Sequence, residues 1–155
     1  MNWPTFIVQW LHVLMGIVWF GYALSMYFLI APPLSKLPEG QQREAFGLLA
    51  EIGPKVFPIV AILVIVLGFV RGTFLGRINE LSDLGTPYGF YWLIGLLVTL
   101  ALLFTGARFI GPGFAGLRDA PDYPAAAARL RAVSRIDLGI FFVVFTSMIL
   151  MRLNN

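Results

Sequence analysis

The chain of 155 residues contains no cysteine, only one histidine and few charged residues. Without cysteine it can form no disulfide, thiolate metal site or iron–sulfur cluster. Charged residues make up 12% of the chain, whereas about a quarter is usual for soluble domains. Any metal site must therefore use histidine, methionine, tyrosine, carboxylate or backbone ligands. The sequence also lacks a P-loop, a dinucleotide fingerprint and a Ser, His and Asp arrangement.

Long apolar runs dominate what is present. Hydrophobic residues account for 59% of the chain and the mean hydropathy is +0.83. Four runs, at about 5–30, 56–75, 87–107 and 136–153, are each long enough to cross a bilayer as a helix. The first lacks a basic start and a cleavage site, so we expect it to be retained. The sequence predicts an all-α integral membrane bundle of four transmembrane helices in one domain, 1–155, with no obvious internal repeat.

The basic residues predict the orientation of the bundle. Of the 11 Lys and Arg residues, eight fall in the first and third connections and three near the opposite face. Because basic loops stay in the cytoplasm, we expect both termini on the outer, periplasmic side of a bacterial-type inner membrane. The net charge of +3 is thus a sign of membrane topology, and we expect no nucleic-acid partner.

Two segments beside the predicted spans have helical character. The segment 38–53 places Phe46, Leu49 and Ile52 on one stripe, which suits either a short helix on the membrane surface or an extension of the second span. In the segment 122–137, Asp122 is a capping residue, Pro124 is at the first turn and alanines follow. This pattern predicts one long helix that continues into the fourth span.

The single histidine, His12, lies within the first apolar run. On a helix it shares a face with polar, small and polarizable residues, while aliphatic side chains occupy the opposite face. An ionisable side chain in a membrane span usually faces the bundle interior. We therefore expect the His12 face to point inward. It contains Gln9, Met15, Gly16, Trp19, Ala23 and Met26.

Depth along the helices suggests which residues could meet His12. Counting along alternating spans places Met148, Tyr91 and Arg71 in the same half of the bilayer, and Gly95 and Gly16 would leave space there. Imidazole and thioether are ligands of haem iron and of copper. The candidate cofactor site is therefore His12, Met148, Met15, Tyr91 and Arg71, with His12 and Met148 as metal ligands and Arg71 facing haem propionates.

A structural role for His12 is the alternative. The imidazole could form an interhelical hydrogen bond to Tyr91, Thr99 or a backbone carbonyl, and methionines commonly serve as packing. One histidine per chain gives a bis-histidine haem only if two subunits contribute, which would require a homo-oligomer. At the other end of the fourth span, Asp137 next to Arg135 predicts a local ion pair.

The segments "WLHVLMGIVWFG", "TPYGFYWLIGLL" and "RAVSRIDL" resemble the copper-resistance D (CopD-like) family and its HemJ-type relatives. The segment "WLHVLMGIVWFG", Trp10 to Gly21, has a histidine followed seven residues later by tryptophan. The segments "TPYGFYWLIGLL" at Thr86 to Leu97 and "RAVSRIDL" at Arg131 to Leu138 are similar to the entries of the third and last helices. The resemblance implies a four-helix membrane core associated with copper transport or with b-type haem.

The sequence departs from this resemblance in the third span. HemJ-type protoporphyrinogen oxidases carry a lysine there, whereas this chain has Gly95 and no Lys or Arg between Pro87 and Ala107. The resemblance therefore transfers a role only to His12. Three hypotheses follow: a haem b protein with a redox role, a copper transporter, and an accessory subunit of a larger membrane complex.

Overall fold

The computed structural model describes residues 2–154. Six α-helices form in this part of the chain. Their bounds are α1 (Trp3–Ser25), α2 (Ala31–Leu34), α3 (Glu39–Gly72), α4 (Pro87–Thr105), α5 (Gly111–Gly116) and α6 (Tyr123–Leu153). A π-helical turn at Met26–Ile30 joins α1 to α2, and a second at Gly106–Ile110 joins α4 to α5.

Four helical segments are long and apolar enough to cross a membrane. They are Trp3–Leu34, Glu39–Gly72, Pro87–Gly116 and Tyr123–Leu153, of 32, 34, 30 and 31 residues. At about 1.5 Å per residue they measure roughly 45–51 Å, longer than the hydrocarbon layer, so their ends reach the polar interface or the segments tilt. The predicted all-α bundle of four transmembrane helices is confirmed, and the chain is a multi-pass membrane protein.

Local sequence signals set the starts of α4 and α6. The side chain of Thr86 accepts a hydrogen bond from the Gly89 N–H at 3.1 Å, and Asp122 accepts one from the Ala125 N–H at 3.0 Å. Each cap is followed by a proline in the first helical turn, where its missing N–H costs nothing. The long helix through Asp122 and the fourth span forms as its sequence predicts.

The helix ends after the first and third spans differ from the expectation. The sequence predicts ends at about residues 30 and 107, just before Pro32 and Pro33 and before Pro112, yet both segments stay helical, to Leu34 and Gly116. A proline cannot bond the carbonyl four residues earlier and clashes with it. For Pro32 and Pro112 those carbonyls, of Phe28 and Arg108, lie in the two π-helical turns. The widened turns let the helices continue past the prolines.

The second span begins earlier than predicted. Helix α3 runs unbroken from Glu39, so the segment 38–53 is an extension of the span and not a separate surface helix. Pro54 and Pro58 lie inside this helix, where each removes one backbone hydrogen bond. The helix thus has a weakened stretch in the half of the bundle that contains both π-helical turns.

The helices pair as two hairpins, α1 with α3 and α4 with α6. We call the end with Trp3, Gly72 and Leu153 the terminal end and the end with Leu34 and Tyr123 the connector end. At the connector end, Phe46, Leu117, Tyr123 and Leu130 form a buried cluster. In the middle of the bundle, Leu102, Phe141 and Val144 form a second one.

Candidate functional site

A cavity of about 620 Å³ lies between the helices in the terminal half of the bundle. We call it the histidine cavity. Its volume is within the range of small-molecule and cofactor sites. The wall is mostly apolar, and its polar or polarizable members include His12, Gln9, Arg71, Met148, Met151 and Arg152.

The imidazole of His12 is oriented by helix α3. Its Nδ1 atom lies 3.0 Å from the backbone oxygen of Val64. Because a carbonyl only accepts, this contact requires the hydrogen on Nδ1 and leaves the lone pair on Nε2. Metal-bound histidines are commonly held in this way by a carbonyl on the second nitrogen. The contact is also the interhelical hydrogen bond that a purely structural role predicts.

Glycines create the space around the imidazole. A Cβ atom at Gly68 would lie 2.8 Å from Cε1 and 3.3 Å from Nδ1 of His12, so only glycine lets the ring lie directly on α3. One turn along α1, Gly16 has open space where a side chain would begin. Gly95 also lines this cavity, and a Cβ added there would be in ordinary contact with the Cβ of Ser147 at 3.8 Å.

Arg71 lies at the terminal end of α3 on the wall of the same cavity. Its Nη1 donates to the Leu75 carbonyl at 3.0 Å, whereas its Nε is buried and has no hydrogen-bond partner among the described residues. A buried N–H group without an acceptor is costly. Arg71 thus brings a positive charge to the cavity wall, and one of its N–H groups has no acceptor among the described residues.

The structure brings together three of the five predicted site residues. His12, Met148 and Arg71 all line the histidine cavity, whereas Met15 and Tyr91 are not part of its wall. The wall also contains residues outside the five predicted ones, among them Gly68, Trp92, Met151 and Arg152. Spacing along α3 could have found Gly68, since it precedes Arg71 by one helical turn.

A second cavity, of about 710 Å³, occupies the connector half. We call it the aspartate cavity after Asp137. Residues of both π-helical turns and both internal prolines of α3 line it. π-Helical turns are frequent at functional sites, and here the irregular stretches of three helices border one space.

Trp19, Leu102 and Phe141 line both cavities, and we call these three residues the partition. The rings of Trp19 and Phe141 meet edge to face with centroids 5.0 Å apart. Leu102 is 1% exposed, so the partition is tightly packed at its centre. The two cavities are thus neighbouring spaces separated by a thin apolar layer.

The polar groups of the aspartate cavity pair differently from the expectation. The predicted ion pair between Asp137 and Arg135 is wrong: Arg135 Nε donates to the Tyr27 hydroxyl at 2.8 Å, and the Thr105 hydroxyl lies 2.6 Å from Asp137 Oδ1. Residues two apart on a helix point in different directions, so sequence neighbours of opposite charge did not meet here. No ion pair of Asp137 is present within residues 2–154.

Other metal chemistry has little support in the side chains. In the part of the chain that the structure describes, no three His, Cys, Asp or Glu side chains come together to hold a metal ion. A site at His12 would need thioether or external ligands. The chain matches no family model, no curated protein and no solved structure.

Proposed function

We propose that the protein binds b-type haem in the histidine cavity, with His12 Nε2 as an axial ligand. The observation that carries this proposal is the Nδ1 contact to the Val64 carbonyl beside an open cavity. This contact fixes the tautomer in which Nε2 can coordinate a metal. Met148, on the opposite hairpin and on the wall of the same cavity, is the candidate second ligand.

The charges around the cavity favour an apolar ligand that carries acidic groups. Arg71 and Arg152 lie on its wall, and no Asp or Glu side chain does so. Haem combines a large apolar ring with two propionates, and buried guanidinium groups pair well with carboxylates. The unpartnered Nε of Arg71 would gain an acceptor in such a complex.

The same features favour haem over copper. A copper ion would meet two arginines and no carboxylate at the histidine cavity. Met15, which the copper pathway would use together with Met148, is outside the wall. Bound haem would supply one-electron redox chemistry, so the proposal extends to a membrane redox protein of the CopD-like type.

An absorption spectrum of the protein purified from haem-replete cells tests this proposal. We expect a Soret band in the parent chain and its loss in His12→Ala. Iron and copper measured in the same sample distinguish haem from a copper site. A colourless, iron-free parent chain would contradict the proposal.

His12→Gln is the control that separates coordination from helix packing. The glutamine amide can still donate to the Val64 carbonyl, but an amide is a poor haem ligand. We expect His12→Gln to retain the fold, seen by its elution volume and thermal midpoint in detergent, and to lose the Soret band. A band that persists in this variant would place the haem elsewhere.

The membrane and the orientation are part of the same proposal. The excess of basic residues at the connector end supports a bacterial-type inner membrane with both termini outside. Reporter fusions at each terminus, active only on one side of the membrane, test this orientation. If two subunits share a haem, cross-linking should trap a homo-oligomer only in the haem-loaded state.

A further inference from the structure

The aspartate cavity has the chemical character of a second ligand site. It combines aromatic walls with a few hydroxyl groups and the carboxyl group of Asp137, and it belongs to the half of the bundle opposite His12. The aromatic rings that line it are those of Trp19, Tyr22, Tyr27, Phe28, Phe57, Phe114 and Phe141. We propose that this cavity binds a membrane quinone, an uncharged flat ring that carries carbonyl acceptors and an apolar tail.

The side chain of Tyr27 can donate a hydrogen bond into the cavity. The Tyr27 oxygen accepts from Arg135 Nε at 2.8 Å, which leaves the phenolic hydrogen for another acceptor. The Thr105 hydroxyl has one hydrogen but two acceptors in reach, the Leu102 carbonyl at 3.1 Å and Asp137 Oδ1 at 2.6 Å. The hydrogen of Thr105 is therefore used within the bundle, whereas the phenolic hydrogen of Tyr27 is free for the carbonyl of a ligand. Quinone carbonyls need such neutral donors.

The distribution of charge favours an uncharged ligand. Arg131 and Arg135 border the cavity on the connector side of Asp137, and all three lie on α6. An anionic head group that reached the level of Asp137 would meet an acidic side chain, while a cationic one would have to pass the two arginines. Placing any net charge at this depth also costs desolvation energy. A neutral head group avoids both penalties.

The shape of the wall favours a planar ring. Tyr22 and Phe57 stack with centroids 3.7 Å apart and ring planes 23° apart, which gives the cavity a flat aromatic surface. The partition, with the edge-to-face pair of Trp19 and Phe141, closes the cavity toward the histidine cavity. Aromatic rings prefer such stacked or edge contacts with other planar groups.

Quenching of tryptophan fluorescence by decylubiquinone tests this proposal in the detergent-solubilised full chain. Trp19 lines the cavity, so we expect saturable quenching in the parent chain and a much smaller effect in Trp19→Phe. Removal of the Tyr27 donor, in Tyr27→Phe, should weaken binding about tenfold, the equivalent of one hydrogen bond. Tyr91→Phe, outside the cavity, is the matched control.

Competition identifies the class of ligand. Oleate and tetraphenylphosphonium serve as anionic and cationic amphiphiles of similar hydrophobicity. We expect neither to displace decylubiquinone at equal concentration. Displacement by oleate would show a lipid site and displacement by the phosphonium a cation site, and either result would overturn the proposal, as would quenching that does not saturate.

Two glycines make the tests of the two cavities independent. A side chain at Gly106, on the wall of the aspartate cavity, or at Gly16, on the wall of the histidine cavity, begins in open space. Gly106→Leu should abolish quinone binding and leave the haem spectrum unchanged, whereas Gly16→Leu should do the reverse. Loss of quinone binding only in Gly16→Leu would contradict the assignment to the aspartate cavity.

Discussion

The imidazole of His12 lies directly on the backbone of Gly68, with its Cε1 atom 2.8 Å from where a Cβ would begin. No other residue at position 68 leaves the ring in place. This contact holds α1 against α3 and, with the Val64 carbonyl, fixes the direction of the ring. The orientation of the only histidine thus depends on Gly68, which lies one helical turn before Arg71 on the wall of the same cavity.

Gly68→Ala should displace the His12 ring and destabilise the bundle. Overpacking of this kind costs about 1–3 kcal/mol, which exceeds the small gain in helix propensity from alanine. The free energy of unfolding in mixed micelles measures the effect. Gly16→Ala is the control, because its new methyl group meets no atom within 4 Å, and it should show only the small gain in helix propensity. Equal stabilities of the two variants would show that the ring does not rest on Gly68.

Arg43, near the start of α3, binds the backbone of the connection between α5 and α6. Its guanidinium donates to the carbonyls of Leu117, Arg118 and Ala120 at 3.2, 3.0 and 2.9 Å. A lysine has no planar fork to reach three carbonyls. We expect Arg43→Lys to cost about 1–3 kcal/mol of stability, measured by thermal unfolding in detergent.

The matched control for Arg43 is an exposed arginine. Arg118 pairs with Glu51 only at 3.8 Å, and both side chains are at least 60% exposed. Such a pair contributes little, so Arg118→Lys should change the thermal midpoint by no more than the experimental error. A larger loss of thermal stability in Arg118→Lys than in Arg43→Lys would contradict the stabilising role of the three Arg43 hydrogen bonds.

The connection between α3 and α4 contains a pH-sensitive turn. The backbone N–H groups of Glu80 and Asn79 donate to Asp83 Oδ2 at 2.9 and 2.8 Å, and they lower the pKa of Asp83 below its usual value. Because the folded-state pKa is the lower one, the stabilisation is present above the unfolded pKa of about 3.9 and is lost as the pH falls through the folded value. A carbon-13 NMR titration of this carboxyl group should give a midpoint below about 3.9. A midpoint at or above that value would show that the turn does not hold the carboxylate.

Arg71→Met should weaken haem retention without loss of the fold. The methionine keeps much of the apolar stem but removes the buried Nε that lacks a partner. We expect a faster transfer of haem to an excess of apomyoglobin, followed by the change in the Soret band. Arg77→Met, at an exposed position in the connection that follows α3, is the control and should transfer haem at the parent rate.

The four spans follow from the sequence because long apolar runs without charge have few alternatives in a bilayer. The ends of the helices are less predictable: prolines at 32, 33 and 112 usually stop a helix, but π-helical turns accommodate them here. The prolines show where the regular α-helical hydrogen bonding must be interrupted. They do not show whether the helix ends there or continues through a π-helical turn.

The candidate site was predictable in part for a related reason. Depth along a helix can be counted from the sequence, which placed Met148 and Arg71 level with His12. The direction of a side chain around the helix axis depends on tilt and on the packing partner, and this excluded Met15 and Tyr91 from the wall. The aspartate cavity was missed because it arises from irregular turns and from the pairing of Arg135 with Tyr27 in place of Asp137.

Chemical rescue of His12→Gly tests the coordination of haem by this residue most directly. The substitution leaves a space the size of an imidazole beside Gly68, and free imidazole added to the purified variant can occupy it. The account predicts that the variant has little or no Soret absorbance and that millimolar imidazole with haemin restores a band close to that of the parent chain. Full haem binding in the variant without imidazole, or no restoration in a variant that remains folded, would contradict the role of His12 as an axial ligand.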